Sequence, residues 1–395
     1  MNRNTTGNTI RVLVCGGTGL VGSNLVKKLL QKGYTDVHAT FFSKMPAAKE
    51  GVTWHRVDHT NQRDTEELFN RIKPDHVYLA AAKVGGILAN STYPAEFIYD
   101  NLAIALNVIH SAYKSGVKKL LNLGSSCIYP KHAPQPMKEE NLLTGSLEPT
   151  NEAYAIAKIS AIKLVKFYNQ QYGTNFLSVM PTNLYGPNDN FNLETSHALP
   201  ALIRKFHLAK LLEQGDIEGI KKDFQKYPIG FGLDRKVDFN NYDSILNILA
   251  KLGIAYHHLT LTSNVSLTIW GSGEVYREFL HVDDLADACV YLMEKVNAKD
   301  FLSLFSTSSP LTSHLSILTD YFVNVGTEKD IKIKDLAILI KDIVGFKGEI
   351  KHDLTKPDGT PRKLLDVSKI NQLGWKAKTS LEEGIKKTYN DYLQL

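Results

Sequence analysis

Residues 10–22 read Ile10-Arg11-Val12-Leu13-Val14-Cys15-Gly16-Gly17-Thr18-Gly19-Leu20-Val21-Gly22, and an amphipathic stretch follows through Leu30. An apolar run that meets regularly spaced glycines and then turns helical predicts a buried strand, a tight turn and a helix. Each glycine has its own use. Gly16 allows the turn, Gly19 lets backbone approach a pyrophosphate, and Gly22 permits close helix packing, with the helix N-terminus facing the anion. Gly16, Gly17, Thr18, Gly19, Leu20, Val21 and Gly22 are therefore candidate dinucleotide-binding residues. The spacing alone occurs in many tight turns; its place between strand and helix gives it weight.

Outward from this turn the pattern repeats. Val37 to Phe42 reads as a strand, a third strand ends at Asp58, and Thr65 to Arg71 reads as a helix before a strand over His76 to Ala80. Asn101 to Ser115 is expected as helix, Lys119 to Leu123 as strand, Glu152 to Gln171 as helix and Phe176 to Met180 as strand. Such alternation predicts an α/β fold, a doubly wound parallel sheet of the Rossmann kind over residues 9–180, with its ligand site at the carboxyl ends of the strands. Residues 181–395 mainly suit a smaller substrate-binding lobe, some of whose segments can return to the sheet, with late helices over Ile333 to Val344 and Leu381 to Leu393. The charged and polar stretch Leu211 to Val265 stands apart and reads as an inserted helical subdomain, 211–265, or a lid.

Composition narrows the function. The 395 residues are 43% hydrophobic and 22% charged, ordinary for a globular chain that can bury a full core. A net charge of +5 with scattered basic residues gives little support to nucleic-acid binding and fits an anionic small substrate. Cys15, Cys127 and Cys289 are odd in number, far apart and without metal-ligand spacing, which points to a reducing, cytoplasmic setting and to no metal site. The polar start lacks the apolar core of a secretory signal, and no apolar run reaches membrane-spanning length.

The second strand ends in Thr40-Phe41-Phe42-Ser43-Lys44, with no carboxylate to hold a ribose 2′-hydroxyl. Lys44 suits a 2′-phosphate instead, so NADP(H) is expected rather than NAD. Asp58 fits either an adenine contact or a turn cap. Ser125 follows a strand end, where it can cap a turn or polarise a carbonyl oxygen. Tyr154 and Lys158, four residues apart, project from one helical face, where an ammonium can stabilise a phenolate. A carbonyl reductase needs these three. It does not need Cys127 or His197.

Several longer segments carry a resemblance. Ala81-Ala82-Lys83-Val84-Gly85-Gly86-Ile87, Leu123-Gly124-Ser125-Ser126-Cys127-Ile128-Tyr129-Pro130, Glu148-Pro149-Thr150-Asn151-Glu152-Ala153-Tyr154, Met180-Pro181-Thr182-Asn183-Leu184-Tyr185-Gly186-Pro187, Trp270-Gly271-Ser272-Gly273 and Lys356-Pro357-Asp358-Gly359-Thr360-Pro361-Arg362-Lys363 cover most of the chain outside the insertion. By them the chain resembles the extended short-chain dehydrogenases/reductases, and among these the GDP-L-fucose synthases, which are GDP-4-keto-6-deoxymannose 3,5-epimerase-4-reductases. The resemblance implies Cys127 and His197 as the epimerisation base and acid, and Ser125, Tyr154 and Lys158 as the reductase set. It implies Pro181, Thr182, Asn183 and Leu184 against the nicotinamide, with Leu123, Gly124, Ser125, Ser126, Tyr154, Lys158 and His197 completing the NADP(H) contacts. Lys205, Trp270, Arg277 and Asp358 fall where the family contacts the GDP-sugar, although Trp270 fits a packing role equally well. A homodimer through Asn101 to Ser115 and Glu152 to Gln171 is implied too.

Family members join the equivalents of Lys205 and Trp270 by a much shorter segment. A related enzyme acting on another GDP-4-keto-6-deoxy sugar, such as a heptose or the colitose precursor, is therefore a competing reading. From a different class comes a non-catalytic nucleotide sensor on the same fold.

Overall fold

The computed structural model describes residues 10–43, 45–257, 265–304, 320–356 and 358–394. Its first half runs β1 (Val12–Cys15), α1 (Leu20–Gln31), β2 (Val37–Phe41), β3 (Val52–Arg56), α2 (Gln62–Ile72), β4 (His76–Leu79), α3 (Ile87–Thr92), α4 (Pro94–Lys114), β5 (Lys119–Leu123), α5 (Glu152–Tyr172) and β6 (Phe176–Pro181). The second half continues with β7 (Asn183–Tyr185), α6 (Ala198–Glu213), α7 (Ile217–Lys226), α8 (Tyr242–Lys251), β8 (Ile254–Tyr256), β9 (Val265–Trp270), β10 (Tyr276–His281), α9 (Val282–Lys295) and α10 (Asp300–Leu304). It closes with β11 (Phe322–Val325), β12 (Asp330–Lys332), α11 (Ile333–Val344), β13 (Glu349–Asp353), β14 (Arg362–Lys363), α12 (Ser368–Gln372) and α13 (Leu381–Gln394).

Local chemistry sets the boundaries. Asn61 caps α2 by accepting from the Asp64 N–H, and Gly173 ends α5 in the left-handed conformation. The helix expected from Asn101 begins earlier, at Pro94, because proline at a first helical position has no N–H to leave unsatisfied.

Seven strands in the order β11-β6-β5-β4-β1-β2-β3 form the main sheet among the described residues, every neighbouring pair parallel. A segment of the second half, β11, thus returns to its edge. Buried strands such as Lys119–Leu123 have neighbours on both faces, so they read as near-continuous apolar runs. Strand order reverses between β1 and β4, and the crevice at their carboxyl ends is where such folds bind ligand.

The second lobe is built on β12-β10-β14, with β7 also on β10, and on β13-β9-β8. The described part of the inserted stretch shares this lobe's core. Ile220, Phe224, Ile229, Leu233, Ile245 and Leu249 are buried in one apolar cluster with Leu199, Phe206, Leu336 and Ile385. Beside them lies an ion pair closed to water. Arg204, fully buried in α6, meets the Asp223 carboxylate of α7 at 2.9 Å, and Tyr392 of α13 donates its hydroxyl to the same carboxylate. A charge buried there without its partner would cost several kcal/mol, so this contact fixes α7 against α6 and α13.

Candidate active site

The glycine turn is shaped for a ligand at one of its glycines and for packing at the others. Gly16 has φ +83°, and a Cβ there would lie 2.7 Å from the Ala81 Cα; a Cβ at Gly22 would overlap the Gly16 carbonyl. At Gly19 the nearest atom to such a Cβ is the Gly16 oxygen, 3.7 Å away, so the space in front of it is open. The N-terminus of α1 carries no side-chain cap and no acidic residue in its first turn. Free N–H groups facing open space beside a glycine suit a pyrophosphate, so the residues present fit a dinucleotide.

The turn is held from below by residues that sequence reasoning missed. Gly16 N–H donates to Thr40 Oγ1 at 2.9 Å and Gly17 N–H to the Thr40 carbonyl at 2.8 Å. Thr40 Oγ1 lies 3.0 Å from His59 Nε2, and His59 Nδ1 lies 3.2 Å from Thr65 Oγ1. Burial lowers the His59 pKa to about 4, so the ring links the two hydroxyls as a neutral imidazole. The only sequence signal was a polar residue inside an apolar strand. Asp58 Oδ1 accepts from the Thr60 N–H and hydroxyl at 2.9 and 2.7 Å, the turn-capping role of its two alternatives. Lys44 lies outside the described residues.

At the carboxyl end of β5 four candidates converge. Gly124 has no room for a side chain, because Met180 packs against it. Ser125 opens a short 3₁₀ turn over Ser126–Ile128, its hydroxyl accepting from the Cys127 N–H at 3.4 Å. From α5, the buried Lys158 ammonium donates to the Leu123 carbonyl at 2.8 Å and stands 5.6 Å from the centroid of the Tyr154 ring. Burial lowers its pKa to about 8, against an opposing pull from Cys127.

Here the structure departs from one expectation. The Tyr154 phenol is not pulled towards phenolate: burial pushes its pKa up, and the Cys127 charge adds to that. The ammonium lies over the ring, and desolvation of the hydroxyl outweighs it. For Cys127 burial likewise raises the pKa, against hydrogen bonding from Ser125 and the charges of Lys363 and Lys158. Helix α5, which carries Tyr154, packs against the 3₁₀ turn that carries Cys127, and this brings thiol and phenol into one neighbourhood.

Thr182 and Asn183 direct their side chains to the Glu278 carbonyl at 3.2 and 2.8 Å, which pins Pro181 to Leu184 beside β10. His197 stands exposed at the start of α6 without a side-chain capping bond, and partial desolvation of its ring lowers its pKa. Its loop meets the Gly85-Gly86 segment, where Gly86 N–H donates to the Thr195 carbonyl at 3.1 Å. A Cβ on Gly85 would lie 3.2 Å from Phe97, whose ring packs edge-on to Tyr154 at 6.3 Å. The segment thus connects His197 to the Tyr154 side of the crevice.

Lys205, Trp270, Arg277 and Asp358 all lie in the second lobe. Trp270 is 59% exposed, and the ammonium groups of Lys205 and Lys356 lie 5.9 and 5.2 Å from its ring centroid. Burial brings the Lys205 pKa down to about 8. Asp358 accepts from the Ser272 N–H and hydroxyl at 2.9 and 2.6 Å, so it shapes the turn after Trp270. Arg277 donates to the Tyr276 and Thr360 carbonyls, both at 2.6 Å. Lys363, missed as a site residue although quoted in a motif, is influenced by both Cys127 and Arg277 and so bridges the two groups of candidates. Cys15 and Cys289 are fully buried, as an apolar role requires. Among the described residues no His, Cys, Asp and Glu cluster could hold a metal ion, and no helix is long and apolar enough to cross a membrane.

The model of the NAD dependent epimerase/dehydratase family matches residues 12–223 and 246–302, leaving 224–245 unmatched between them. The chain is 44% identical to GDP-L-fucose synthase 1 of Arabidopsis thaliana, with 97% of this chain and 93% of that protein covered. It is 42% identical to GDP-L-fucose synthase of Escherichia coli (strain K12), with 97% of each covered. Among solved structures, a GDP-6-OMe-4-keto-L-xylo-heptose reductase from Campylobacter jejuni superposes with a TM-score of 0.81 at 36% identity, with 98% of this chain and 99% of that one covered.

The glycine turn yields a test that separates binding from folding. Gly19→Ala should leave the melting temperature unchanged and weaken NADPH binding about tenfold, because the added methyl meets the ligand's space and not the protein's. Gly22→Ala should lower the melting temperature. Calorimetric melting with fluorescence titration of NADPH checks both, and unchanged NADPH affinity in Gly19→Ala would count against the cradle.

Proposed function

The chain belongs to the NAD dependent epimerase/dehydratase family, and from that premise we propose that it converts GDP-4-keto-6-deoxy-D-mannose to GDP-L-fucose, by epimerisation at C3 and C5 and then reduction at C4. The observation that carries this reading is the meeting of Cys127 with Ser125, Tyr154 and Lys158 at one strand end. A reductase alone has no use for the thiol.

A ketone at C4 acidifies the hydrogens at C3 and C5, so one base and one acid can invert both centres in turn through enolates. Cys127 removes the proton and His197 returns one to the opposite face. The enolate oxygen is stabilised by the hydroxyls of Ser125 and Tyr154. NADPH, held by the glycine turn and by Pro181 to Leu184, supplies hydride for C4 when bound. Tyr154 gives the same oxygen its proton at that stage, and the neutral phenol that burial maintains is the form able to do so. Lys158 holds α5 to β5 and keeps positive charge under the ring. Arg277, Lys205 and Lys363 offer the fixed cations a diphosphate requires, and Trp270 an exposed face for the nucleotide base. The three cysteines, all free and buried, accord with a cytoplasmic enzyme.

The same reading includes a homodimer. Leu106 of α4 and Ile156, Phe167 and Tyr172 of α5 leave apolar surface exposed on the paired helices, which suits a two-fold contact. Phe167→Glu should convert the dimer to a monomer in sedimentation, and a wild-type monomer would remove this element.

Cys127→Ser should cut deuterium incorporation at C3 and C5 at least a hundredfold while NADPH binds normally; general-base removal accounts for a loss of about that size. Tyr154→Phe should lose NADPH oxidation and keep exchange. Product stereochemistry distinguishes fucose from a heptose or colitose relative, and absence of any NADPH oxidation with the keto sugar would favour a non-catalytic sensor.

Burial holds the Cys127 thiol above its ordinary 9.0 and the His197 imidazole below its ordinary 6.5. Reaction requires thiolate together with imidazolium. Between the two values the gain of one offsets the loss of the other; below both, thiolate falls tenfold per pH unit, and above both, imidazolium does. Inversion followed by NMR with NADP+ in place of NADPH should therefore be flat from about pH 6.5 to 9, and a narrow optimum within that range would contradict the assignment.

A further inference from the structure

The loop carrying His197 is tied to a turn of the inserted segment that lies outside the family match. The Phe231 N–H donates to Glu194 Oε2 at 2.6 Å, just before His197. At the head of the loop, the buried Arg204 guanidinium donates to the Phe191 carbonyl at 2.8 Å and to the inserted Pro228 and Tyr227 carbonyls at 2.6 and 2.9 Å. One cation spans both segments. The turn has its own brace: Asp234 accepts from the Ile229 and Gly230 N–H groups at 2.7 and 3.0 Å. Gly230 and Phe231 both have positive φ, +86° and +55°. Inside the loop, Asn192 Oδ1 accepts from the Glu194 and Thr195 N–H groups at 2.9 and 3.2 Å, while Gly86 grips Thr195 from the opposite side.

His197 makes no capping bond of its own, so the backbone of this loop sets where its ring stands. We infer that Glu194, locked by the Phe231 N–H of the inserted turn, is a positioning residue for His197, and that the insertion serves the inversion half of the reaction. This rests on the reading of His197 as the acid. Ser125, Tyr154 and Lys158 hang from β5 and α5 instead, so cofactor binding and the oxygen site keep their places when the clamp is released.

The test uses the full chain with Glu194→Ala, Glu194→Gln and His197→Asn, measuring inversion with NADP+ present, NADPH affinity and melting temperature. Glu194→Ala should lower kcat for inversion about tenfold, since small misplacement of a reacting group costs that much or more. Substrate KM and NADPH affinity should change less than about twofold, because neither depends on placing the acid. Glu194→Gln keeps an oxygen for the Phe231 N–H and should recover most of the rate. If Glu194→Ala does not fold, Glu194→Asp, which shortens the reach, must show the loss. Wild-type inversion in Glu194→Ala together with loss in His197→Asn overturns the clamp and leaves the acid standing; full inversion in His197→Asn overturns the acid itself. Equal losses in Glu194→Ala and Glu194→Gln also overturn the clamp.

Discussion

The hydrogen bond from the buried Lys158 ammonium to the Leu123 carbonyl is the contact on which the site depends. It joins the inner face of α5 to the last residue of β5, so it fixes where Tyr154 stands relative to Ser125 and Cys127. An ammonium taken out of water without a partner would be unfavourable by several kcal/mol, so the carbonyl is a requirement of the burial as much as a position marker. The same helix then presents its outer face as apolar surface.

Dryness at this strand end shapes the electrostatics more than any single charge. Burial raises the pKa of the thiol and the phenol and lowers that of Lys158, so each group is biased towards its uncharged form. A site of neutral donors and acceptors is chemically quiet until a polarised ketone arrives. In a medium of low dielectric the Ser125 and Tyr154 hydroxyls act strongly on any charge that develops beside them. Lys205 and Arg277 lie in the second lobe, and Lys363 pairs with Arg277 where β14 runs beside β10.

The second lobe owes its rigidity to apolar packing around one buried ion pair. Arg204 and Asp223 join α6 to α7, and the remaining guanidinium donors reach carbonyls on either side of the loop before His197. The inserted residues are part of the core that supports the substrate side.

The glycine turn, the alternation of strands and helices, and the four-residue step from Tyr154 to Lys158 were legible in the chain because each is a local regularity. Strand and helix periods and turn sterics operate over a few residues, and motif segments such as Leu123 to Pro130 carried the resemblance. Only the tertiary structure decided that Thr40 and His59 support the turn, that Trp270 is open to solvent, and that Lys363 comes within electrostatic reach of Cys127. It alone set the direction of the thiol pKa and of the phenol pKa, for the second of which spacing had suggested help from a cation. Those outcomes depend on burial and on approach between residues far apart along the chain, and neither quantity is carried by periodicity.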